Sequence, residues 1–145
     1  MGFVDESIDV VVDTPVAYAL WLDYERYPRF MSGVERVDVI GYCRLRWTGP
    51  VCGHAAEWET VVVDRVEDTR VRWEATDERE TGEVTFEKLD ASTTRVHYQL
   101  EYDSALWHAS DPAAVRACLH ARVRDDLQAF KALAESLGEA GEGSA

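Results

Sequence analysis

Between residues 34 and 103 the sequence alternates charged and apolar side chains with a period of two. Residues two apart point to the same face of a β-strand. The apolar positions carry large aromatic side chains, namely Trp47, Trp58, Trp73, Phe86, Tyr98 and Tyr102. The pattern predicts a sheet with one charged face and one aromatic face, and another element must cover the aromatic face.

A long amphipathic helix near the C-terminus is the predicted cover. Asp111 followed by Pro112 indicates a helix start, because a carboxylate caps free amides and proline fits the first turn. Gly138 stands where the helix is expected to stop. The helix would have about 26 residues and a length of roughly 39 Å, enough to cross the sheet. Its apolar positions are Val115, Leu119, Val123, Phe130, Leu133 and Leu137.

The remaining elements complete an α+β arrangement. Residues 7–12 are predicted as the first strand, and Thr14 with Pro15 opens a short helix. A second short helix is expected at 27–31. Further strands are predicted near 35–42, 43–48, 55–64, 70–76, 83–89 and 94–102. Turns are predicted at 48–50, 77–82 and 90–93.

Composition is typical of one globular domain. The chain has 145 residues, and we expect a domain at 1–137 and a disordered acidic tail at 138–145. No apolar run reaches the 18 or so residues of a membrane span, and the amino terminus lacks a signal pattern, so a cytoplasmic location is expected. A net charge of -13 argues against nucleic-acid binding, which depends on clustered Lys and Arg.

Cofactor, metal and disulfide sites are not predicted. Cys43, Cys52 and Cys118 are odd in number and have no paired spacing. The four histidines lack close metal-ligand spacing. Neither a Ser-His-Asp set with motif spacing nor a glycine-rich phosphate loop is present. Covalent hydrolysis and nucleotide chemistry are therefore disfavoured.

Several local motifs follow the predicted elements in a fixed order. They are Thr14-Pro15-Val16, the stretch 23–31, Gly53 before Glu57-Trp58-Glu59, Val71-Arg72-Trp73, Gly82 before Val84-Thr85-Phe86, Thr94-Arg95-Val96, and Asp126-Leu127 before Phe130-Lys131. Over about residues 8–137 the chain thereby resembles the polyketide cyclase/dehydrase and START-like (SRPBCC) superfamily. This resemblance implies a helix-grip fold, in which a curved antiparallel sheet of six or seven strands wraps around the C-terminal helix.

The resemblance also implies a deep cavity that holds a hydrophobic, aromatic or polycyclic molecule. Walls rich in Trp and Tyr agree with this, since such side chains offer large faces for stacking. For any single aromatic residue, simple core packing is the alternative. The expected ligand-binding residues are Phe30, Trp47, Trp58, Trp73, Phe86, Tyr98, Tyr102, Leu119, Val123 and Phe130.

Three residues are candidates for catalysis. Asp126 lies near the middle of the helix's apolar stripe, and Arg122 lies one turn earlier on the same side. Facing the sheet, the pair could position or deprotonate a ligand; on a rotated helix it is a surface ion pair. Tyr98 offers a phenol. The cyclases of this superfamily have a pocket arginine, whose nearest match is Arg65, and a bulge would be needed to turn it inward.

Two functions are consistent with these patterns. The first is a cyclase or dehydratase that acts on an aromatic polyketide-like substrate. The second is a protein that carries, protects or sequesters a hydrophobic metabolite or lipid without catalysis. An inward ionisable group with a perturbed pKa would favour the enzyme. The ligand and the oligomeric state are not predicted.

Overall fold

The fold is described from a computed structural model, which covers residues 2–23, 35–41, 43–51, 54–103 and 112–144. These residues form seven strands and two helices. In chain order they are β1 (Gly2–Val10), α1 (Thr14–Trp21), β2 (Arg36–Gly41), β3 (Arg44–Val51), β4 (His54–Val66), β5 (Arg70–Ala75), β6 (Glu80–Asp90), β7 (Thr93–Tyr102) and α2 (Pro112–Ser144). The predicted helix at 27–31 and the predicted cap Asp111 lie outside the described residues.

One antiparallel sheet contains all seven strands in the order β1-β7-β6-β5-β4-β3-β2. Strands β2 to β7 are therefore a continuous meander, in which each strand pairs with the next along the chain. Strand β1 closes the other edge by pairing with β7, where Val4 lies opposite Leu100. The predicted helix-grip α+β fold is confirmed.

The predicted alternation is confirmed on the central strands. Val84 and Phe86 on β6 are buried, while Glu87, the next residue along the same strand, is exposed. Helix α1 packs on this inner face through Trp21, whose ring meets Tyr98 edge-on at 5.8 Å between centroids. The aromatic side of the sheet is thus the core side.

Helix α2 covers one part of that face. It packs mainly on β1, with further contacts to β7. Two polar contacts fix it to the chain around β1: Lys131 Nζ donates to the Asp9 carbonyl at 2.9 Å, and the Val11 amide donates to the Glu135 carboxylate at 2.9 Å. The buried apolar side chains of α2 are Val115, Leu119, Val123, Leu127, Phe130 and Ala134. No helix among the described residues is long and apolar enough to cross a membrane.

The turn predicted at 48–50 is wrong, because β3 continues to Val51 and Pro50 pairs with Ala55 of β4. The Thr48 carbonyl accepts from the Glu35 amide, so that side of β3 faces β2. The Pro50 nitrogen faces the same way, since residues two apart orient alike. Strand β2 begins at Arg36, opposite Thr48, and does not extend beside Pro50, so the missing N–H of proline breaks no bond to β2.

The turn predicted at 77–82 is too long, since β6 already begins at Glu80. Glu80 and Thr81 pair with Tyr102 and Glu101 of β7. The backbone ladder to β7 therefore extends into a stretch whose polar composition is typical of a turn. As a result, Glu80 shares the inward register of Gly82 and is only 3% exposed.

Helix α2 also continues past Gly138, where the sequence predicted a stop, as far as Ser144. Glycine inside a helix costs only about 1 kcal/mol relative to alanine, so it does not have to end one. The division into a domain at 1–137 and a disordered tail at 138–145 stays a prediction.

The structure differs from the sequence prediction for one cysteine, since no disulfide was predicted. Cys118 on α2 is disulfide-bonded, whereas Cys43 is free. The sequence spacing of cysteines reports only local pairs, and a disulfide needs only that two cysteines meet in space.

Gly82 should be intolerant of a side chain, because a Cβ atom there would fall inside the Trp73 ring on the neighbouring strand. We expect Gly82→Ala to lower the free energy of unfolding by about 1–3 kcal/mol through overpacking. Gly41→Ala is the matched control, since its Cβ would meet no atom closer than 3.9 Å, and it should change the value by less than about 0.5 kcal/mol. Urea unfolding of both variants checks this, and equal effects would contradict it.

Candidate functional site

A cavity lies between the sheet and the two helices. Its walls come from the inward side chains of β3 to β7, from α1 and from α2. The lining residues are Trp21, Leu45, Trp47, Trp58, Thr60, Val62, Val71, Trp73, Glu80, Tyr98 and Arg122. The space free of protein atoms is about 450 Å³ and includes parts open to solvent, but a water's centre fits in only about 20 Å³ of it. That volume holds about one water molecule.

The aromatic wall has a fixed geometry. Trp47 and Trp58 stack with centroids 6.1 Å apart and planes 6° from parallel. The Trp47 indole donates to the Thr60 hydroxyl at 2.7 Å, which locks that ring. Trp73 meets Tyr98 edge-on at 5.7 Å. The wall therefore presents both ring faces and ring edges to the cavity.

Glu80 brings a carboxyl group into this apolar wall. The Trp73 side chain hydrogen-bonds to it, but its Oε1 atom is buried without a hydrogen-bond partner among the described residues. Burial raises the pKa of Glu80 above its ordinary value, although the positive charges of Arg122 and Arg79 oppose the rise. Glu80 is therefore a stronger base than an exposed glutamate.

Arg122 reaches the cavity from α2. Its side chain is 11% exposed, and its guanidinium carbon lies 5.6 Å from the centre of the Trp58 ring, a cation–π contact. Its Nη1 atom is buried without a hydrogen-bond partner in the part of the chain that the structure describes. Burial opposes its charge, but Glu80, Tyr98 and Asp126 hold the pKa of Arg122 above the ordinary value. The guanidinium is therefore a charged donor inside the cavity.

Asp126 lies one turn further along α2 and is not a lining residue of the cavity. Its side chain is fully buried, and its Oδ2 atom is 3.9 Å from the Arg122 Nε atom. The pair is thus turned inward and is not a surface ion pair. Asp126 touches Arg122 without lining the cavity.

Tyr98 adds a neutral phenol to the same wall. It is 2% exposed, and burial raises its pKa strongly. Its hydroxyl therefore keeps its proton at any ordinary pH and can donate a hydrogen bond to a ligand.

The structure divides the expected ligand-binding residues into two groups. Trp47, Trp58, Trp73 and Tyr98 line the cavity. The others with described positions are buried in the packed core, beneath the helices, and do not line it: Phe86, Tyr102, Leu119, Val123 and Phe130. Leu119, Val123 and Phe130 belong to α2, which lies mainly over β1 at the edge of the sheet. Phe30 lies outside the described residues.

Several lining residues were not predicted as site residues. Trp21, Leu45, Thr60 and Val71 lie within the predicted short helix and strands, but no role at the site was predicted for them. Glu80 was assigned to a turn, although extending the alternation of Val84 and Phe86 back through Gly82 leads to it. The sixth is Val62, next to a bulge in β4.

The bulge matters for the predicted pocket arginine. The register of β4 against β5 shifts between Val62 and Asp64, but Arg65 remains exposed. Arg122 on the helix supplies the guanidinium of the cavity instead.

No group of three His, Cys, Asp or Glu side chains within the described ranges is placed to hold a metal ion. The polar groups of the cavity are one carboxyl, one guanidinium, one phenol and one threonine hydroxyl. One carboxylate is a poor metal site by itself, since structural metals need several ligands.

Comparison with known proteins identifies the family. The family model for "Polyketide cyclase / dehydrase and lipid transport" matches residues 12–131. The chain belongs to this polyketide cyclase/dehydrase and lipid transport family. A relative described as an uncharacterized 17.2 kDa protein of Streptomyces lincolnensis is 32% identical over 143 residues, which cover 96% of this chain and 93% of the relative.

Solved structures resemble this polyketide cyclase/dehydrase family member over almost its whole length. A protein of Deinococcus radiodurans is 26% identical with a TM-score of 0.69, covering 94% of this chain and 99% of its own. A START superfamily protein of Mycobacterium smegmatis has a TM-score of 0.81 at 14% identity, with coverages of 93% and 98%. The Zhui aromatase/cyclase of a Streptomyces species has a TM-score of 0.75 at 19% identity, with coverages of 92% and 93%. The last two show a shared fold.

The raised pKa of Glu80 should make stability depend on pH. The folded carboxyl keeps its proton to a higher pH than the unfolded one, whose pKa is 4.5. Its contribution to stability is therefore present at low pH and is lost as pH rises through the raised value. Relative to the wild type, Glu80→Gln should gain stability between about pH 4.5 and neutrality, because glutamine does not titrate.

Urea unfolding across this pH range measures the difference. Thr60→Val is the matched control, since Thr60 lines the same cavity and neither side chain titrates. Its difference from the wild type should stay constant with pH. A constant difference for Glu80→Gln as well would contradict the raised pKa.

Proposed function

We propose that this protein binds an aromatic or polycyclic small molecule in the cavity and acts on it as a cyclase or dehydratase. One observation supports this most directly: a carboxyl group, a charged guanidinium and a neutral phenol line a wall that is otherwise apolar except for the Thr60 hydroxyl, which is bound to Trp47. Burying ionisable groups is costly, and a protein that only carries a hydrophobic molecule does not need them.

The three polar side chains suit proton transfers next to a carbonyl group. Removing a proton from carbon leaves negative charge on the carbonyl oxygen, and Arg122 or Tyr98 can donate to that oxygen. The Asp126 carboxylate, with its Oδ2 atom 3.9 Å from the Arg122 Nε atom, favours the charged form of the guanidinium. The tryptophan wall holds the reacting chain in one conformation, which is how a folded substrate is made to cyclise at one position.

Ligand binding requires side chains to move. The part of the cavity into which a water's centre fits holds about one water molecule, whereas a bicyclic molecule needs far more space. The stacked rings of Trp47 and Trp58 are a natural place for expansion, since an aromatic ligand can replace the face that each ring presents to the other. Binding should therefore change the tryptophan fluorescence.

The second candidate function is a non-catalytic carrier or sequestering protein. The apolar majority of the lining supports it, and so does the family description, which includes lipid transport. We infer that the ligand is a small molecule and that nucleic acid is not a partner, in keeping with the net charge of -13. The cytoplasmic location stays a prediction, and the disulfide at Cys118 argues against it because disulfides are rare in reducing compartments.

Dehydration of 3-hydroxy-1-tetralone tests the enzyme proposal. This bicyclic β-hydroxy ketone loses water to give 1-naphthol, whose fluorescence reports the rate. We expect the wild type to accelerate the reaction and Tyr98→Phe to lower kcat by about a hundredfold, because one donor to the oxygen is lost. Tyr102→Phe is the matched control, since Tyr102 is equally buried but does not line the cavity, and its kcat should not change.

Titration of tryptophan fluorescence with the same ketone separates the two functions. Quenching together with turnover supports the enzyme. Quenching with no rate above the uncatalysed one supports the carrier. If neither quenching nor turnover occurs, both proposals fail for this class of ligand.

A further inference from the structure

Two charged side chains that line the cavity each have a buried atom without a hydrogen-bond partner among the described residues. These atoms are Oε1 of Glu80, on β6, and Nη1 of Arg122, on α2. Buried polar atoms in folded proteins almost always have a partner, and exceptions mark places where water, an ion or a ligand supplies it. One atom is an acceptor and the other is a donor, so a single ligand could satisfy both.

The neighbouring charges do not fill this role. Arg79, the other cation near Glu80, is bound by Asp77, with 2.7 Å between the Nη2 and Oδ2 atoms. Asp126 approaches Arg122 from the Nε side and does not line the cavity. The Trp73 side chain bonds to the Glu80 carboxyl and so orients it. Among the described residues, Oε1 of Glu80 and Nη1 of Arg122 therefore stay available to a ligand.

We infer that Glu80 is the proton acceptor of the site, that Arg122 binds the carbonyl oxygen of the same ligand, and that Asp126 is a positioning residue for Arg122. This inference rests on the proposed function and names its substrate class. A ligand that satisfies both atoms carries a ketone and, close to it, an acidic hydrogen or a hydroxyl group. A β-hydroxy ketone on a ring has all of these.

The proposed step balances without a cofactor. The Glu80 carboxylate takes a proton from the carbon between the carbonyl and carbinol carbons, and the C–H electron pair forms the enolate, whose oxygen Arg122 holds. The carbonyl then re-forms, a C=C bond forms towards the carbinol carbon, and the C–O bond breaks. The leaving hydroxyl takes the proton back from Glu80, and water departs. Nothing is oxidised or reduced, and the carboxylate is restored.

The surroundings of Glu80 suit this role. The raised pKa gives its carboxylate more basicity, and the charged guanidinium stays available for the enolate oxygen. A raised pKa also predicts that activity increases with pH as Glu80 ionises. The charged and titratable groups that act on Glu80 are Arg122 from α2, Tyr98 from β7, and Asp77 and Arg79 from the turn before β6. Asp126 acts on Arg122 and Tyr98.

Turnover of 3-hydroxy-1-tetralone distinguishes the two carboxylates. We expect Glu80→Gln to lower kcat by about a hundredfold or more and to remove the acidic limb of the kcat/KM pH profile, and Glu80→Asp to restore part of the rate. Asp126→Asn should raise KM and keep that limb. Glu83→Gln is the control, since Glu83 pairs with Arg72 on the outer face and should leave the rate unchanged. A limb that disappears with Asp126→Asn and survives Glu80→Gln would overturn the assignment.

Binding of three related probes tests Glu80 without turnover. The probes are 3-hydroxy-1-tetralone, 2-tetralol, which lacks the ketone, and 1-tetralone, which lacks the hydroxyl. Glu80→Gln should weaken the two hydroxyl-bearing probes by about tenfold, because a charge-assisted hydrogen bond is lost, and should change 1-tetralone by less than about twofold. Equal effects on all three probes, or no binding of any probe to the wild type, would overturn the inference.

The two experiments keep this inference separate from the proposed function. Binding that shows the expected selectivity without turnover would remove the dehydratase and the proton-transfer role, while keeping Glu80 and Arg122 as ligand-binding residues. Turnover that is insensitive to Glu80→Gln would keep the dehydratase and remove Glu80. Urea unfolding of each variant shows that it is folded, and Glu80→Asp provides a second variant at the key position.

Discussion

The apolar face of the seven-stranded sheet is too wide for one helix to cover. Seven strands about 4.8 Å apart span roughly 29 Å, whereas a helix with its side chains is about 10 Å across. Helix α2 lies over β1 and touches β7, and α1 adds cover near β6 and β7. Over β3, β4 and β5 the sheet fills the space itself, with one large tryptophan from each strand: Trp47, Trp58 and Trp73.

The cavity lies where the region covered by helices meets the region filled by tryptophans. Arg122 enters it from α2, and Glu80 enters from β6. Buried ionisable groups contribute little to stability by themselves, because their desolvation is costly. In the proposed function, a ligand brings a carbonyl and a hydroxyl group to these two side chains. This is why the cavity, rather than the core beneath α2, is the candidate site.

Sequence reasoning succeeded for residues whose position depends on a local period. The alternation on β3, β4, β5 and β7 correctly placed four aromatic lining residues: Trp47, Trp58, Trp73 and Tyr98. It failed where the composition of a segment is typical of a turn but its backbone pairs with a neighbouring strand. Glu80 lies in a polar stretch typical of a turn, and pairing with Tyr102 draws it into the strand. Pro50 is typical of a turn, and it is tolerated in β3 because β2 does not extend beside it.

By itself the sequence determined which residues face the core, because the period of two in strands and of 3.6 in helices follows from local backbone geometry. It also determined the antiparallel α+β class and the position of the long covering helix. Only the tertiary structure decided that Glu80 and Arg122 share a cavity, that Asp126 is buried beside Arg122 without lining the cavity, and that Arg65 is exposed. These outcomes depend on strand ends, a bulge and the rotation of α2 over the sheet, which are set by packing between residues far apart in the chain.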